Sequence, residues 1–518
     1  MFIHNKKNEM KKVCALFSII LIPVLTVLQC AQPEKSNHIK PNIILLYADD
    51  LGYGDLSCYG ATLIRTPNID RIAHEGIKFT NAYATSATCT PSRYALLTGE
   101  YPWRNQEARI LPGNAPLIID PSKPNLMKIF KNAGYTTAVA GKWHLGLGGD
   151  ELDWNAVIKP GPNEVGFDYS FILASTNDRV PTVYVENGKV VGLSKDDPLE
   201  VSYVENFAGE PTGKDHPELL KMLPSHGHDM SIYNGISRIG YMRGGKSALW
   251  DDEEMADTVL SHSLHFIRAN KNDPFFLYFA FHQPHVPRTP HPRFVGSTDL
   301  GPRGDAIMEI DYAVGRLLDF LDSLGLADQT MIIFSSDNGP VLDDGYQDEA
   351  VSRIGDHRPA GPLRGGKYSL FDAGTHMPFM VCWEGHIRSG TSDALISQMD
   401  LTASFASMLS QRNDTPDSQD MLDVLLGKSA KGRDNLVLEA SGRTCFREDN
   451  WIMIPPYQGP HIFSDVQIES GLSSAYQLYD LSEDPSQMHN LAEENPDKLR
   501  ELISRYEDII TLKNNNRE

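Results

Sequence analysis

Positive charge is in short supply in this chain: 47 Lys and Arg stand against 68 Asp and Glu, leaving a net charge of −21. Such an acidic surplus repels phosphate backbones, which excludes nucleic acid as a partner. Cysteine is scarce as well, six in 518 residues. Cys14 and Cys30 fall in a leader-like stretch, and Cys58, Cys89, Cys382 and Cys445 are too far apart to form a disulfide framework. A single disulfide stays open, with no spacing that selects it. No internal repeat is visible, which excludes a repeat array. A length of 518 residues exceeds what one core usually supports, so one large domain and a smaller one are expected.

The chain starts with Lys6, Lys7, Lys11 and Lys12, followed by an apolar run from Val13 to Leu28 and then Cys30-Ala31-Gln32-Pro33. Basic residues ahead of a short apolar run predict a secretory signal over residues 1–30 rather than a membrane span. Cys30 is placed as in a bacterial lipoprotein signal, although Gln29 stands where a small residue is expected. Lipid anchoring at Cys30 and ordinary cleavage both remain open. Either way the expected location is outside the cytoplasm, in the periplasm or on the outer membrane of a bacterium, with the membrane reached only through that anchor.

Beyond the leader, a content of 41% hydrophobic and 9% aromatic residues suits a globular enzyme. Four apolar runs of strand length each end in ionisable or metal-binding side chains. Pro41–Tyr47 leads to Asp49 and Asp50, and Tyr135–Ala140 to Lys142 and His144. Pro274–Phe281 leads to His282 and His285, and Thr330–Phe334 to Asp337 and Asn338. Continuous apolar runs read as strands buried on both faces, and ligands gather beyond the carboxyl ends of parallel strands. A lone Asp-Asp pair also fits an Asx-turn; the fourfold recurrence favours a site.

Helical spacing over Asn125–Ala133, Met255–Asn270 and Ala306–Leu324 separates these strands. The alternation predicts an α/β fold: a doubly wound, mostly parallel sheet flanked by helices. Gly148–Gly245 is richer in Pro, Gly and polar residues and reads as insertions around a cleft rather than core. The catalytic domain is expected over residues 38–410 and a linker over 411–434. A smaller α+β subdomain is expected over 435–518, with strands at Asn435–Ala440, Trp451–Pro455 and Tyr476–Leu481 and a closing helix at Pro496–Leu512.

Cys89 opens a short helical stretch in which Pro91 suits the first turn and Gly99 the end, so free N–H groups would favour an anion beside it. Taken alone, Cys89 equally fits a buried structural cysteine. Cys89-Thr90-Pro91-Ser92-Arg93 followed by Leu97-Thr98-Gly99 resembles the signature of the formylglycine-dependent (type I) sulfatases of the alkaline phosphatase superfamily. The likeness runs from about Pro41 to Leu491 and leans toward arylsulfatases and bacterial N-acetylgalactosamine sulfatases. The C-terminal Leu478-Tyr479-Asp480-Leu481 and Asp484-Pro485 resemble the C-terminal subdomain of that family.

The resemblance implies that a maturation enzyme oxidises Cys89 to 3-oxoalanine (formylglycine). One hydroxyl of the hydrated aldehyde would attack sulfur, and the other would later expel sulfate. Asp49, Asp50, Asp337 and Asn338 are four oxygen donors with no soft ligand, and they match the family's metal positions. Such a set suits Ca2+ better than Mg2+, because mixed carboxylate and amide donors tolerate irregular geometry. The metal would also meet the modified Cys89. Lys142, His144, His282 and Lys367 match the remaining polar positions: the lysines as point charges for the sulfuryl group, His144 as the base in sulfate release, His282 as the acid for the leaving sugar oxygen. Arg93 would orient the diol.

Asn177, Asp178, Arg179, His285, His357 and Arg358 are candidate sugar contacts that also fit ordinary loop polarity. The expected substrate is a sulfated saccharide, a galactose or N-acetylgalactosamine sulfate of host or dietary glycans. Two alternatives stay open: a phosphodiesterase or phosphonate hydrolase of the same superfamily, and a non-catalytic surface binder of sulfated glycans.

Overall fold

The computed structural model describes residues 40–511. The expected signal segment and Cys30 therefore lie outside the described residues. These described residues form one compact unit. Its centre is an eleven-stranded sheet. The strands are β1 (Asn42–Ala48), β2 (Ile77–Tyr83), β3 (Thr136–Lys142), β4 (Tyr169–Leu173), β5 (Tyr184–Glu186), β6 (Lys189–Val190), β7 (Phe275–Ala280), β8 (Thr330–Ser336), β9 (His376–Trp383), β10 (Gly390–Ser392) and β11 (Ile396–Ser397). They run in the order β10–β2–β9–β8–β1–β7–β3–β4–β5–β6, with β11 pairing to β2.

The five strands β8, β1, β7, β3 and β4 are mutually parallel. Antiparallel partners follow on both sides, β9 beyond β8 and β5 beyond β4. The four strands that carry site residues are thus consecutive, in the order β8–β1–β7–β3, and their carboxyl ends open on one edge. Gly141 shows how closely they pack: its φ is 106°, and a Cβ there would lie 1.9 Å from the carbonyl oxygen of Ala280 in β7.

Every residue of β1 is buried, and its side chains alternate between two cores, as a strand covered on both faces requires. Ile43, Leu45 and Tyr47 pack on the side of α2 (Cys89–Thr98), α3 (Leu126–Asn132) and α6 (Leu401–Met408). Ile44 and Leu46 pack on the side of α1 (Pro67–Glu75), α4 (Met255–Asn270) and α5 (Gly301–Leu324). α4 has the bounds expected from its spacing. α5 starts five residues earlier than expected, because Pro302 takes a first-turn position and Gly304 fits closely against Thr298.

The stretch Gly148–Gly245 is corrected by the structure: it supplies β4, β5 and β6 to the central sheet, with Phe171, Ile172 and Leu173 fully buried. Its polar composition hid three short strands. C-terminally, β12 (Asn435–Ala440), β13 (Arg443–Glu448), β14 (Trp451–Ile454) and β15 (Gln477–Asp480) form a separate antiparallel sheet, with α7 (Pro496–Thr511) after it. Glu439 of β12 exchanges backbone hydrogen bonds with Thr85 and Ala87, just ahead of α2. The small sheet therefore braces the turn that presents Cys89. Between the two sheets, Met421, Val424 and Leu425 are buried in the main core, so the stretch expected as a linker is packed.

Candidate active site

Helix α2 is buried along its whole length and begins at Cys89, with Thr88 as the extended N-cap and Gly99 in a left-handed turn at its end. The sheet brings its four carboxyl ends to that N-terminus. The Cys89 thiol points at Asp49 Oδ1, 3.6 Å away. One ligand atom from each of Asp49, Asp50, Cys89 and Asp337 lies within 4.8 Å of each of the others.

Four carboxylates and three cations are packed here, and unpaired burial would cost several kcal/mol for each ion. They pair among themselves. Lys142 Nζ donates to Asp49 Oδ2 at 2.6 Å. Arg93 binds Asp337 Oδ2 through Nε at 2.9 Å and Nη2 at 2.8 Å, and its Nη1 donates to the Tyr278 hydroxyl at 3.1 Å. Lys367 Nζ donates to Asp50 Oδ2 at 2.9 Å and to Asp344 Oδ2 at 2.7 Å. Burial opposes the charge on Lys367, yet Asp344 and Asp50 keep it a cation.

By formal charge the four carboxylates outnumber the three cations by one. Burial pushes Asp49 well up, and neighbouring Asp337 and Asp50 add to the rise that Lys142 opposes. Burial would raise Asp337 too, but Arg93 and then Lys142 hold it down at about 2. Asn338 donates Nδ2 to Asp50 Oδ1 at 2.7 Å, while its Oδ1 is buried without a partner. An orphaned acceptor costs about 1–3 kcal/mol. An all-oxygen donor set with surplus negative charge and one idle carbonyl oxygen fits a hard divalent cation such as calcium.

The cavity beside Cys89 has a volume of about 50 Å³ and is lined by Ile110, His144, Asp178, Arg179, His228, His285, Asp344, Lys367 and Tyr368. A cleft of about 890 Å³ elsewhere, lined by Tyr94, Thr98 and Trp103 among others, holds none of these groups. Chemistry, not volume, marks the site. Burial pushes the Cys89 thiol up despite Lys142 and Lys367, so the encoded residue is a neutral thiol and a poor nucleophile.

His144 sits at a φ of 55° and holds the Leu111 carbonyl through Nε2 at 3.0 Å. That bond assigns the proton to Nε2 and leaves Nδ1, buried and unpartnered, as a bare acceptor. His285 donates Nδ1 to the Val286 carbonyl at 2.6 Å, and its Nε2 lies 3.8 Å from Asp50 Oδ2. Burial, then Lys367, lowers its affinity for a proton.

Not every expected residue arrives. His282 is buried outside the cavity lining, where desolvation lowers its pKa to about 4; of the two histidines that flank Gln283-Pro284, His285 is the one that reaches Cys89. Arg93 and Lys142 lie beneath the carboxylates rather than on the cavity wall. Asn177 is spent on the Pro287 carbonyl at 3.0 Å, and Arg358 is exposed and outside the cavity. His357 holds Asp55 at 2.8 Å. Asp178 does line the cavity, paired with Arg179 at 2.8 Å and His228 at 2.8 Å. His228, Asp344 and Tyr368 escaped sequence reasoning, because single polar residues in loops carry no periodicity; the Asp343-Asp344 pair was the available signal.

Carboxylates and an idle amide oxygen gathered around a cysteine in the first turn of a helix, with three cations paired to them, suit a hydrolase of anionic esters. Residues 41–410 match the family model described as Sulfatase, and the chain belongs to the sulfatase family. It is a sulfuric ester hydrolase with the mixed, mostly parallel sheet of the alkaline phosphatase superfamily. It is 50% identical over 480 residues to the N-acetylgalactosamine-6-O-sulfatase of Bacteroides thetaiotaomicron, covering 92% of this chain and 94% of that one. Human arylsulfatase A is 31% identical over 480 residues, covering 87% and 83%. A solved structure from a glycosaminoglycan-metabolising locus of B. thetaiotaomicron superposes with a TM-score of 0.90 at 50% identity, covering 91% of this chain and all of that one.

Proposed function

We propose that this protein removes the 6-O-sulfate from N-acetylgalactosamine or galactose residues of host or dietary glycans, after conversion of Cys89 to formylglycine. The observation that carries the substrate is the 50% identity, across nearly the whole chain, to a protein named for that reaction. A cavity that ends in Asp178, Arg179 and His228 supports it, since paired planar groups are suited to sugar hydroxyls.

Asp49, Asp50, Asp337 and Asn338 would hold calcium, which supplies a fixed positive charge beside the ester oxygens. Formylglycine at position 89 would supply a geminal diol, able both to attack sulfur and to release sulfate without a stable ester. The chain's own residues do the rest. Lys367 offers its remaining N–H to the sulfate. Arg93 and Lys142 neutralise Asp337 and Asp49, so the carboxylates stay close enough to act as one set. His285 protonates the departing sugar oxygen; burial first and Lys367 second disfavour its protonated form, and an arriving sulfate offsets the lysine's share. His144, bare at Nδ1, takes the proton during sulfate release. Burial of the whole pole excludes stray water.

We further read residues 1–30 as an export signal, with Cys30 as a possible lipid attachment point. Among the described residues no helix is long and apolar enough to cross a membrane. The test of the substrate is sulfate release from N-acetylgalactosamine 6-sulfate, N-acetylgalactosamine 4-sulfate, glucosamine 6-sulfate and a phosphate monoester. Matured protein in calcium should act on the first by preference; a preference for any other ester contradicts the reading.

A further inference from the structure

Lys367 has more partners than a substrate-binding cation needs. Besides Asp50 it is gripped by Asp344, a carboxylate that lines the cavity itself and is 8% exposed. A carboxylate on the wall of an anion pocket works against the anion by simple Coulomb repulsion, so its presence requires a reason.

Asp344 is held in place from several directions. The Tyr368 hydroxyl donates to its Oδ1 at 3.0 Å. Tyr368 does so from a φ of 72°, a region a bulky side chain rarely adopts. Its backbone N–H donates to the Ala87 carbonyl at 2.9 Å, two residues from Cys89. On the other side, buried Arg288 donates to Asp348 at 2.7 Å and to the carbonyls of Leu342 and Val341 at 2.8 and 3.0 Å. The same guanidinium reaches the Pro284 carbonyl at 2.8 Å, so it ties the Asp344 loop to the His285 segment. Gly345 leaves room for His228: a Cβ there would lie 1.9 Å from His228 Nδ1.

We propose that Asp344, braced by Tyr368, is a positioning residue for Lys367: it holds the ammonium between itself and Asp50 and so turns its third N–H into the cavity. Without Asp344, Asp50 would be the one carboxylate among the described residues still paired with Lys367, and the lysine would turn onto Asp50 and leave the sulfate position. The inference rests on the reading of Lys367 as a contact for the substrate's sulfate.

Charge and positioning predict opposite signs, which makes the test sharp. Inorganic sulfate is titrated by calorimetry into the unmodified thiol form in calcium buffer, comparing wild type, Asp344→Asn and Tyr368→Phe, each alone and combined with Lys367→Ala. Hydrogen bonds to charged groups set the scale, so Asp344→Asn should weaken sulfate binding about tenfold and Tyr368→Phe about threefold. Neither should matter once Lys367 is Ala, because both act through it. In matured enzyme the same two variants should lose kcat/KM by equal factors on a 6-sulfated sugar and on a small aryl sulfate. Unchanged or tighter sulfate binding in Asp344→Asn overturns the proposal, as does a loss that persists in the Lys367→Ala background or falls on the sugar ester alone. If Asp344→Asn does not fold, Tyr368→Phe decides by the same criteria. Failure of wild-type enzyme to release sulfate from either ester would instead refute the assigned function, with the calorimetric result judged separately.

Discussion

Two sets of side chains meet at Cys89, a strand wall behind the small cavity and a loop wall that lines it, and they are built differently. One is the edge formed by the carboxyl ends of β8, β1, β7 and β3, where Asp49, Asp50, Asp337, Asn338 and Lys142 follow directly on buried strands and are themselves fully buried. The other consists of loop residues Asp178, Arg179 and His228, which pair with one another rather than with the strand-end carboxylates. Strands fix the first set to within the rigidity of the core; loops supply the second. On the proposed function, the first wall would act on any sulfate ester and the second would choose the sugar.

The sharpest way to break this contrast lies at the strand edge. Cys89→Ala should abolish turnover, by roughly ten-thousandfold or more, while thermal melting stays close to wild type, since a nucleophile acts on the barrier and not on the fold. Next come the two histidines. His285→Ala should lower kcat about a hundredfold or more on a sugar sulfate, the scale of a lost proton donor. His282→Ala should change kcat by only a few-fold, and a larger loss there than at His285 would move the acid back to the position expected from sequence.

The loop wall should respond selectively. Asp178→Asn should cost about tenfold to a hundredfold in kcat/KM on a 6-sulfated sugar, the worth of a hydrogen bond to a charged group, and stay within about threefold on an aryl sulfate without a sugar. Equal losses on both esters would erase the distinction between the walls.

The smallest effect concerns Glu309 of α5, which accepts from the Gln283 side chain at 2.8 Å and from the His291 backbone. Burial raises it from 4.5 to about 7 despite those two bonds. Between these values the folded protein keeps a proton that the unfolded chain has lost, so this group makes stability fall as pH rises. Glu309→Gln removes that contribution, and the drop in Tm from pH 5 to pH 8 should shrink by about a degree or two. An unchanged drop would mean that the carboxyl is already ionised at pH 5.

The strand edge was legible in the sequence because a strand buried on both faces is a continuous apolar run and its last residues must lie at the sheet's rim. Asp49, His144 and Asp337 could be placed from that rule alone. β4, β5 and β6 were missed for the opposite reason: they are short, and the Gly- and Pro-rich stretch around them masks the signal. The choice between His282 and His285 was not legible, since both follow β7 and only the path of the Gln283-Pro284-His285 turn decides which one enters the cavity. His228 and Asp344 come from distant loops, and their meeting beside Cys89 is set by tertiary contacts such as Arg288 with Asp348, for which local spacing holds no record.

The central claim is that the buried thiol of Cys89 is not the acting group. Mass spectrometry of the peptide spanning Thr88 to Arg93, taken from preparations with different specific activities, tests it most directly. The aldehyde form, in which oxygen has replaced sulfur and two hydrogens, should rise in proportion to activity and be absent from inactive protein. Full activity in a preparation whose Cys89 is entirely thiol would contradict the account.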